Sequence, residues 1–135
     1  MGTDAQTLFL DANILFSAAY QEASRLNVFW QLPKVDLLTS TYALEEARRN
    51  LKSKDQRIRL EQLVKTLKIV SHDSLSAIPD DIFLRDKDRP ILAAAINAKA
   101  DFLITGDIQD FGEYFGTAIR GVIILPPADF LIKHS

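Results

Sequence analysis

Five short apolar runs rich in β-forming residues are separated by longer stretches in which apolar residues recur every three or four positions. The runs cover residues 7–10, 35–39, 67–70, 102–105 and 121–125. A continuous apolar run is typical of a strand that is covered on both faces. The five runs therefore predict a parallel sheet buried between two layers of helices.

The intervening stretches have the periodicity of helices. They cover residues 13–20, 23–31, 41–52, 55–66 and 88–100, and a short helix follows Pro127. Ser40 is a good N-cap for the third segment, Pro33 stops the second, and Pro90 suits the first turn of the fifth. Strand–helix alternation predicts an α/β fold, a three-layer α/β/α sandwich. Since no linker or repeat interrupts the sequence, we expect one domain over residues 1–135.

Composition narrows the function classes. Hydrophobic residues make up 47% and charged residues 25% of the chain, as in globular proteins. The absence of Cys removes disulfides, thiolate nucleophiles and Cys-ligated zinc. No apolar stretch reaches the ~20 residues of a membrane span, and the first residues show no targeting signal, so we expect a cytoplasmic protein without membrane contact. A net charge of −2 argues against a wholesale basic nucleic-acid binder.

Acidic residues follow the predicted strands. Asp11 directly follows the first strand, Glu46 lies in the helix after the second, and Asp107 follows the fourth. Asp88, with Asp86 two residues earlier, begins the helix that leads into the fourth strand. Because the carboxyl ends of parallel strands meet at one edge of a sheet, we expect these carboxylates to converge.

Each acid alone has an ordinary structural explanation. Asp11 and Asp88 can cap helices, and Asp107 can belong to a turn. Clustered carboxylates, however, repel by about 4 kcal/mol at ~4 Å and an effective dielectric near 20, so together they must take up protons or bind a cation. Oxygen ligands without Cys or clustered His favour Mg²⁺ or Mn²⁺ over zinc. Such an ion can activate water for attack on a phosphoryl group.

The helix of residues 41–52 carries two adjacent glutamates. Glu45 has Arg48 and Arg49 at i+3 and i+4, which is the spacing of helical ion pairs. Glu46 lies on the side shared with Asn50, although Arg49 is also at i+3 from it. We therefore expect Glu46 to be the freer carboxylate.

Four ordered motifs carry a family resemblance. They are Phe9-Leu10-Asp11-Ala12-Asn13-Ile14-Leu15, Ser40 through Leu44 to Glu46, Asp86-Lys87-Asp88-Arg89-Pro90-Ile91-Leu92-Ala93-Ala94-Ala95, and Ala100-Asp101-Phe102-Leu103-Ile104-Thr105-Gly106-Asp107 followed by Asp110-Phe111. In this order and spacing they resemble the PIN-domain ribonucleases, the fold of VapC-like toxins and of related RNA-processing nucleases.

The resemblance implies a five-stranded parallel sheet in the order 3-2-1-4-5 and a Mg²⁺- or Mn²⁺-dependent endoribonuclease. Its implied metal ligands and catalytic residues are Asp11, Glu46, Asp88 and Asp107. The implied supporting residues are Asn13, Thr105 and Asp110, with Asp86 as the alternative to Asp88. A toxin would have an antitoxin partner lying over the acidic groove, and homodimers are common in the family, although no patch of this sequence indicates one.

RNA binding needs cations beside the acids, because phosphate contacts dominate its affinity. The stretch 45–60 has a local charge of +3, and its candidate RNA-binding residues are Arg48, Arg49, Lys52 and Lys54. A solvated helix surface explains these charges equally well. With four acids assigned to a metal site, fourteen remain against sixteen bases, so the rest of the molecule is mildly basic. His72 and His134 lie away from the motifs, which favours surface or packing roles.

Two other functions stay open. A haloacid-dehalogenase-like phosphatase also places an Asp after its first strand and a Gly-Asp-x-x-Asp near its fourth, as Gly106 to Asp110 do. That class requires a second acid where this chain has Asn13, and it leaves Glu46 and Asp88 without roles. The other alternative is a catalytically silent PIN fold that only binds RNA or docks a protein.

Overall fold

The computed structural model describes residues 5–71 and 74–134. The strands are β1 (Gln6–Leu10), β2 (Val35–Ser40), β3 (Lys68–Val70), β4 (Phe102–Ile104), β5 (Ala118–Ile119) and β6 (Val122–Leu125). The α-helices are α1 (Ala12–Tyr20), α2 (Thr41–Asn50), α3 (Lys54–Val64), α4 (Arg89–Asn97), α5 (Ile108–Phe111) and α6 (Pro127–His134). Short 3₁₀ helices cover Arg25–Gln31, Leu75–Ala77 and Gly112–Tyr114. None of the helices in these ranges has the length and hydropathy of a membrane span.

The strands form one sheet in the order β3-β2-β1-β4-β6-β5. The central strand β1 pairs in parallel with β2 on one side and with β4 on the other. Because Leu10 lies opposite Ile104 in this register, Asp11 and Thr105 leave the sheet side by side. The predicted order of the five parallel strands is confirmed, with β6 as the fifth.

The prediction of five strands was wrong at one edge, where β5 adds a sixth strand antiparallel to β6. Arg120 and Gly121 join the two strands with φ angles of +50° and +87°. Positive φ at both turn residues matches the twist of a two-residue hairpin. The sequence did not indicate β5 because two residues, Ala118–Ile119, are too few for a hydrophobic pattern.

Side chains that alternate along β1 and β4 bury both faces of the sheet, as the continuous apolar runs predict. Phe9 and Leu103 pack with the apolar side of α4, including Leu92. Leu8 and Phe102 belong to the opposite core, whose helical members are Ile14, Leu15, Leu44, Leu60 and Phe130. Hydrophobic packing on both faces of the sheet therefore holds β1 and β4 in place, and with them the residues that follow these strands.

Two predicted helices differ from the structure. Residues 23–31 form a 3₁₀ helix over Arg25–Gln31, capped by Ser24 and confined by Pro33, which removes a backbone donor. The helix predicted for 88–100 ends at Asn97, and Lys99 has φ +59°. A left-handed residue just past a helix satisfies its last carbonyl groups and stops it.

Candidate active site

A cavity of about 350 Å³ lies at the carboxyl ends of β1 and β4. Its lining residues are Asp11, Ala12, Asn13, Phe16, Glu46, Asn50, Lys87, Asp88 and Asp107. We call this cavity the acidic pit. The four predicted catalytic acids, which come from separate elements, all line it. A larger cavity of about 1010 Å³, between the Arg25–Gln31 helix and α3, is lined by none of them.

Asp11 is held in place by neutral donors. Its Oδ1 accepts a hydrogen bond from Ala12 N at 2.6 Å, and its Oδ2 accepts one from Thr105 Oγ1 at 2.8 Å and one from Asn13 Nδ2 at 3.2 Å. Asn13 Oδ1 in turn accepts from Gly106 N at 2.8 Å. The loops after β1 and β4 are thereby joined through side chains, and Asp11 has one fixed orientation.

Burial is the main influence on the acidity of Asp11, which is 4% exposed. Burial raises the pKa of Asp11 to about 6, and the nearby charges of Glu46 and Asp107 add to the shift. The hydrogen bonds from Thr105 and Ala12 act in the opposite direction without cancelling it. A bound cation would favour the charged form of such a carboxyl group and would itself be stabilised by it.

Asp88 is buried to the same degree, at 5% exposed, but its surroundings differ. It is the N-cap residue of α4, yet its side chain makes no capping hydrogen bond. Its Oδ1 accepts from Lys87 Nζ at 3.2 Å, while its buried Oδ2 has no hydrogen-bond partner among the described residues. Burial, followed by the adjacent Asp110 carboxyl, raises the pKa of Asp88 above the usual carboxyl range.

Asp107 combines a structural contact with a place in the pit. Its Oδ1 accepts from Asp110 N at 3.0 Å and caps α5, a structural contact that the sequence did not predict for it. Carboxylate oxygens of Asp88, Asp107 and Asp110 also lie within 4.8 Å of one another. Asp110, predicted as a supporting residue, therefore belongs to the densest group of acids in the described residues.

The structure separates the two glutamates of α2. Glu46 lines the pit, whereas Glu45 accepts from Arg48 at 2.6 Å. Arg48 also pairs with Glu61 at 2.8 Å, and these hydrogen bonds, Glu61 first, raise the pKa of the guanidinium. Arg48 is thus committed to two carboxylates, which leaves it less available to RNA phosphates than the sequence suggests.

The remaining predicted residues lie outside the pit. Asp86 is exposed and does not line it. Arg49, Lys52 and Lys54 are exposed at the end of α2 and the start of α3, and form no ion pair within residues 5–71 and 74–134. The predictions for the two histidines cannot be followed further, since residue 72 and the side chain of residue 134 lie outside the described part.

Sequence reasoning missed two cations of this site. Lys87 lines the pit, and Arg85 Nε lies 3.0 Å from Asp110 Oδ1. Tyr42 adds a third unpredicted contact, because its hydroxyl donates to the Lys87 carbonyl oxygen at 2.8 Å. The position of Lys87 between two motif acids was the available signal, but a lysine beside aspartates ordinarily indicates a surface pair.

Comparison with protein-family models gives one match. A model described as a PIN domain matches residues 7–109, which is more than half of the chain. The chain belongs to the PIN-domain family. All four acids that line the pit of this PIN domain fall inside the matched range.

Among solved structures, the PIN domain is similar to a chain in the crystal structure of VapBC2 from Rickettsia felis. In that structure VapBC2 is bound to a DNA fragment from its promoter. The similarity has a TM-score of 0.67 and covers 90% of this chain and 98% of that chain, at 17% sequence identity. At this identity the match concerns the fold. A comparison with curated protein sequences gave no match.

Proposed function

We propose that this PIN domain is a Mg²⁺- or Mn²⁺-dependent endoribonuclease that hydrolyses RNA phosphodiester bonds with water. The observation that carries the proposal is the convergence of four acids from separate elements on one cavity, two of them buried. Unpaired buried carboxylates are costly to a fold unless a cation satisfies them.

The donors of the pit fit a hard divalent ion. They are carboxylate oxygens, without nitrogen or sulfur ligands among the lining residues. The buried Asp88 Oδ2 is an acceptor for which the described residues supply no donor. Asp11, Asp88 and Asp107 would hold the ion, with Glu46 at the cavity wall. A bound ion of this kind supplies a more acidic water and charge stabilisation at the phosphoryl group.

The chain's own residues would orient the reaction. Thr105 and Asn13 fix the Asp11 carboxylate through its Oδ2. Asp107 is fixed by Asp110 N, and its own amide donates to Thr105 Oγ1 at 3.1 Å, so one hydroxyl joins both strand ends. Glu46 forms no ion pair in the described residues and is a candidate acceptor for the proton of the attacking water.

We further propose that an antitoxin partner regulates the nuclease and that it acts in the cytoplasm. The structural similarity to a chain of a VapBC complex supports this reading over general RNA processing. Arg49, Lys52 and Lys54 are the exposed cations proposed to contact RNA phosphates beside the pit. A small DNA-binding protein encoded next to this chain would support a toxin, whereas its absence would favour RNA processing.

The phosphatase alternative is weakened by Asn13. Where that class needs a second acid, the Asn13 amide is engaged on both sides, donating to Asp11 and accepting from Gly106. A phosphatase would form an aspartyl-phosphate intermediate from small phosphomonoesters, which a nuclease would not.

The test is cleavage of a panel of structured RNAs by wild type, Asp11→Asn and Asp107→Asn, with Mg²⁺, with Mn²⁺ and with EDTA. Asp129→Asn, an exposed acid on α6, is the matched control. We expect cleavage by wild type and the control with either ion, and about a thousandfold less by the two pit variants. Binding of RNA without cleavage above the Asp11→Asn level would instead favour a silent PIN module.

A further inference from the structure

Lys87 is the cation at the centre of the acidic group. Its Nζ lies 3.2 Å from Asp88 Oδ1, 3.3 Å from Asp110 Oδ2 and 4.0 Å from Asp107 Oδ2. These are the same three aspartates whose oxygens approach one another within 4.8 Å. One ammonium group thus faces every member of the set.

The backbone of Lys87 is fixed, while its side chain has room to move. Tyr42 holds its carbonyl oxygen, and the next residue, Asp88, closes a turn by donating from its N to Arg85 O at 2.9 Å. The Lys87 side chain is 53% exposed and lines the pit. A change of rotamer is therefore enough to carry its ammonium from the carboxylates to the open side of the cavity.

A divalent ion and this ammonium would compete for one place. A divalent ion held by the carboxylates of this group would lie close to the ammonium that faces the same carboxylates, and the two cations would repel. The buried Asp88 Oδ2 has no donor in the part of the chain that the structure describes, so the ammonium satisfies this carboxylate only in part. A divalent ion can contact oxygens that one ammonium leaves unpaired.

We propose that Lys87 is an internal counter-ion of the metal-free protein, and that binding of Mg²⁺ or Mn²⁺ displaces its ammonium from Asp88 and Asp110 into the pit. This inference rests on the proposed function, since it takes the acidic group to be the metal site. It assigns Lys87 a positioning and regulatory role, because the energy of breaking its ion pairs lowers the affinity for the ion and sets the concentration at which the nuclease becomes loaded.

The first experiment measures Mn²⁺ binding by calorimetry on the intact chain. We expect Lys87→Met to bind Mn²⁺ at least ten times more tightly than wild type. Arg85→Met is the matched control: it removes the same charge from the same group but touches Asp110 alone, so its affinity should rise no more than about threefold. If circular dichroism shows that Lys87→Met is unfolded, Lys87→Gln takes its place. Equal gains for Lys87→Met and Arg85→Met would overturn the proposal, because the loss of one positive charge near the acids would then explain them.

The second experiment locates the ion and the lysine by X-ray diffraction from crystals with and without Mn²⁺, using anomalous scattering. The proposal requires an ion bound to Asp88 and the Lys87 Nζ displaced from Asp88 and Asp110. An ion bound only through Asp11 and Glu46, with Lys87 still on its aspartates, would overturn it and leave the proposed nuclease intact. Absence of Mn²⁺ binding in wild type and in every Lys87 variant would overturn both.

Discussion

The two most buried acids of the pit illustrate two ways of keeping a carboxylate inside a protein. Asp11 is satisfied by neutral donors, from the backbone of Ala12 and the hydroxyl of Thr105, that the fold supplies by itself. Asp88, equally buried, has a movable lysine on one oxygen, and its other oxygen has no hydrogen-bond partner in residues 5–71 and 74–134. The fold therefore fixes the Asp11 carboxylate even without an ion, whereas the Asp88 carboxylate keeps one oxygen without a partner among the described residues.

This difference predicts how substitutions around Asp11 and around Asp88 affect the protein with and without metal. Changes on the Asp11 side should alter the folded protein even without metal, because its contacts belong to the fold. Changes on the Asp88 side should appear mainly in the response to metal.

The stability of the metal-free protein should depend on the ionisation of Asp11. Its folded pKa, raised by burial to about 6 from 3.8, means that the neutral form is favoured in the folded state. Its contribution to stability is complete below the unfolded pKa and is lost as pH rises through the folded value. Between about pH 3.5 and about 7.5, wild type should lose about 3 kcal/mol relative to Asp11→Asn.

Urea denaturation of both proteins in EDTA measures that difference at each pH. Because groups far from the pit titrate alike in the two proteins, the difference between their free energies of unfolding isolates the effect of the Asp11 charge and of its interactions with Glu46 and Asp107. A difference that does not change with pH would contradict the described environment of Asp11.

Mn²⁺ should stabilise wild type and not Asp88→Asn. At a concentration a hundred times the dissociation constant, binding contributes about 2.7 kcal/mol, which corresponds to a rise in Tm of about 10 °C for a chain of this size. The exposed-acid variant Asp129→Asn should match wild type. Differential scanning calorimetry measures the shifts, and equal shifts in wild type and Asp88→Asn would place the ion elsewhere.

Thr105→Val should damage the Asp11 side without removing an acid. Thr105 is fully buried, and its hydroxyl contacts Asp11, Asn13 and the Asp107 amide. Leaving these groups without a partner should cost about 2 kcal/mol of stability in EDTA, as measured by urea denaturation. The effect should persist in metal-free buffer. A loss of stability confined to the Mn²⁺-bound protein would mean that the hydroxyl acts only through the ion.

Glu46→Gln and Glu45→Gln form the most closely matched pair of variants, one residue apart on α2. We expect the initial rate of RNA cleavage to fall at least tenfold, about 1.4 kcal/mol, for Glu46→Gln. It should change less than twofold for Glu45→Gln, whose carboxylate pairs with Arg48 at the surface. A larger loss of rate for Glu45→Gln than for Glu46→Gln would show that the catalytic role was assigned to the wrong glutamate.

The sequence was informative where local chemistry and topology agree. Continuous apolar runs predicted the buried strands. The acids that follow β1 and β4, Asp11 and Asp107, line the pit because the two strands end side by side. Ser40 caps α2 as predicted, accepting from Ala43 N, and thereby places Glu46 on the second turn.

What the sequence could not provide depends on side-chain contacts between distant segments. Nothing local shows that Lys87 reaches Asp110, 23 positions on, or that Asp110 joins the central group of acids. The sequence indicated a pair between Arg48 and Glu45, but not the second pair with Glu61, because Glu61 lies on another helix. The hairpin of β5 escaped notice for a different reason, since two residues carry too little pattern.

The most direct test of the central claim is hydrolysis of a defined RNA in H₂¹⁸O with Mn²⁺, followed by mass spectrometry of the product ends. In the products of wild type, each phosphate left at a cleavage site should contain one ¹⁸O, because water is the nucleophile in the proposed reaction. No 2′,3′-cyclic phosphate should form. The same products should be absent with EDTA and with Asp11→Asn. Cyclic phosphate ends, or cleavage that persists in Asp11→Asn, would contradict a metal-dependent hydrolysis at the acidic pit.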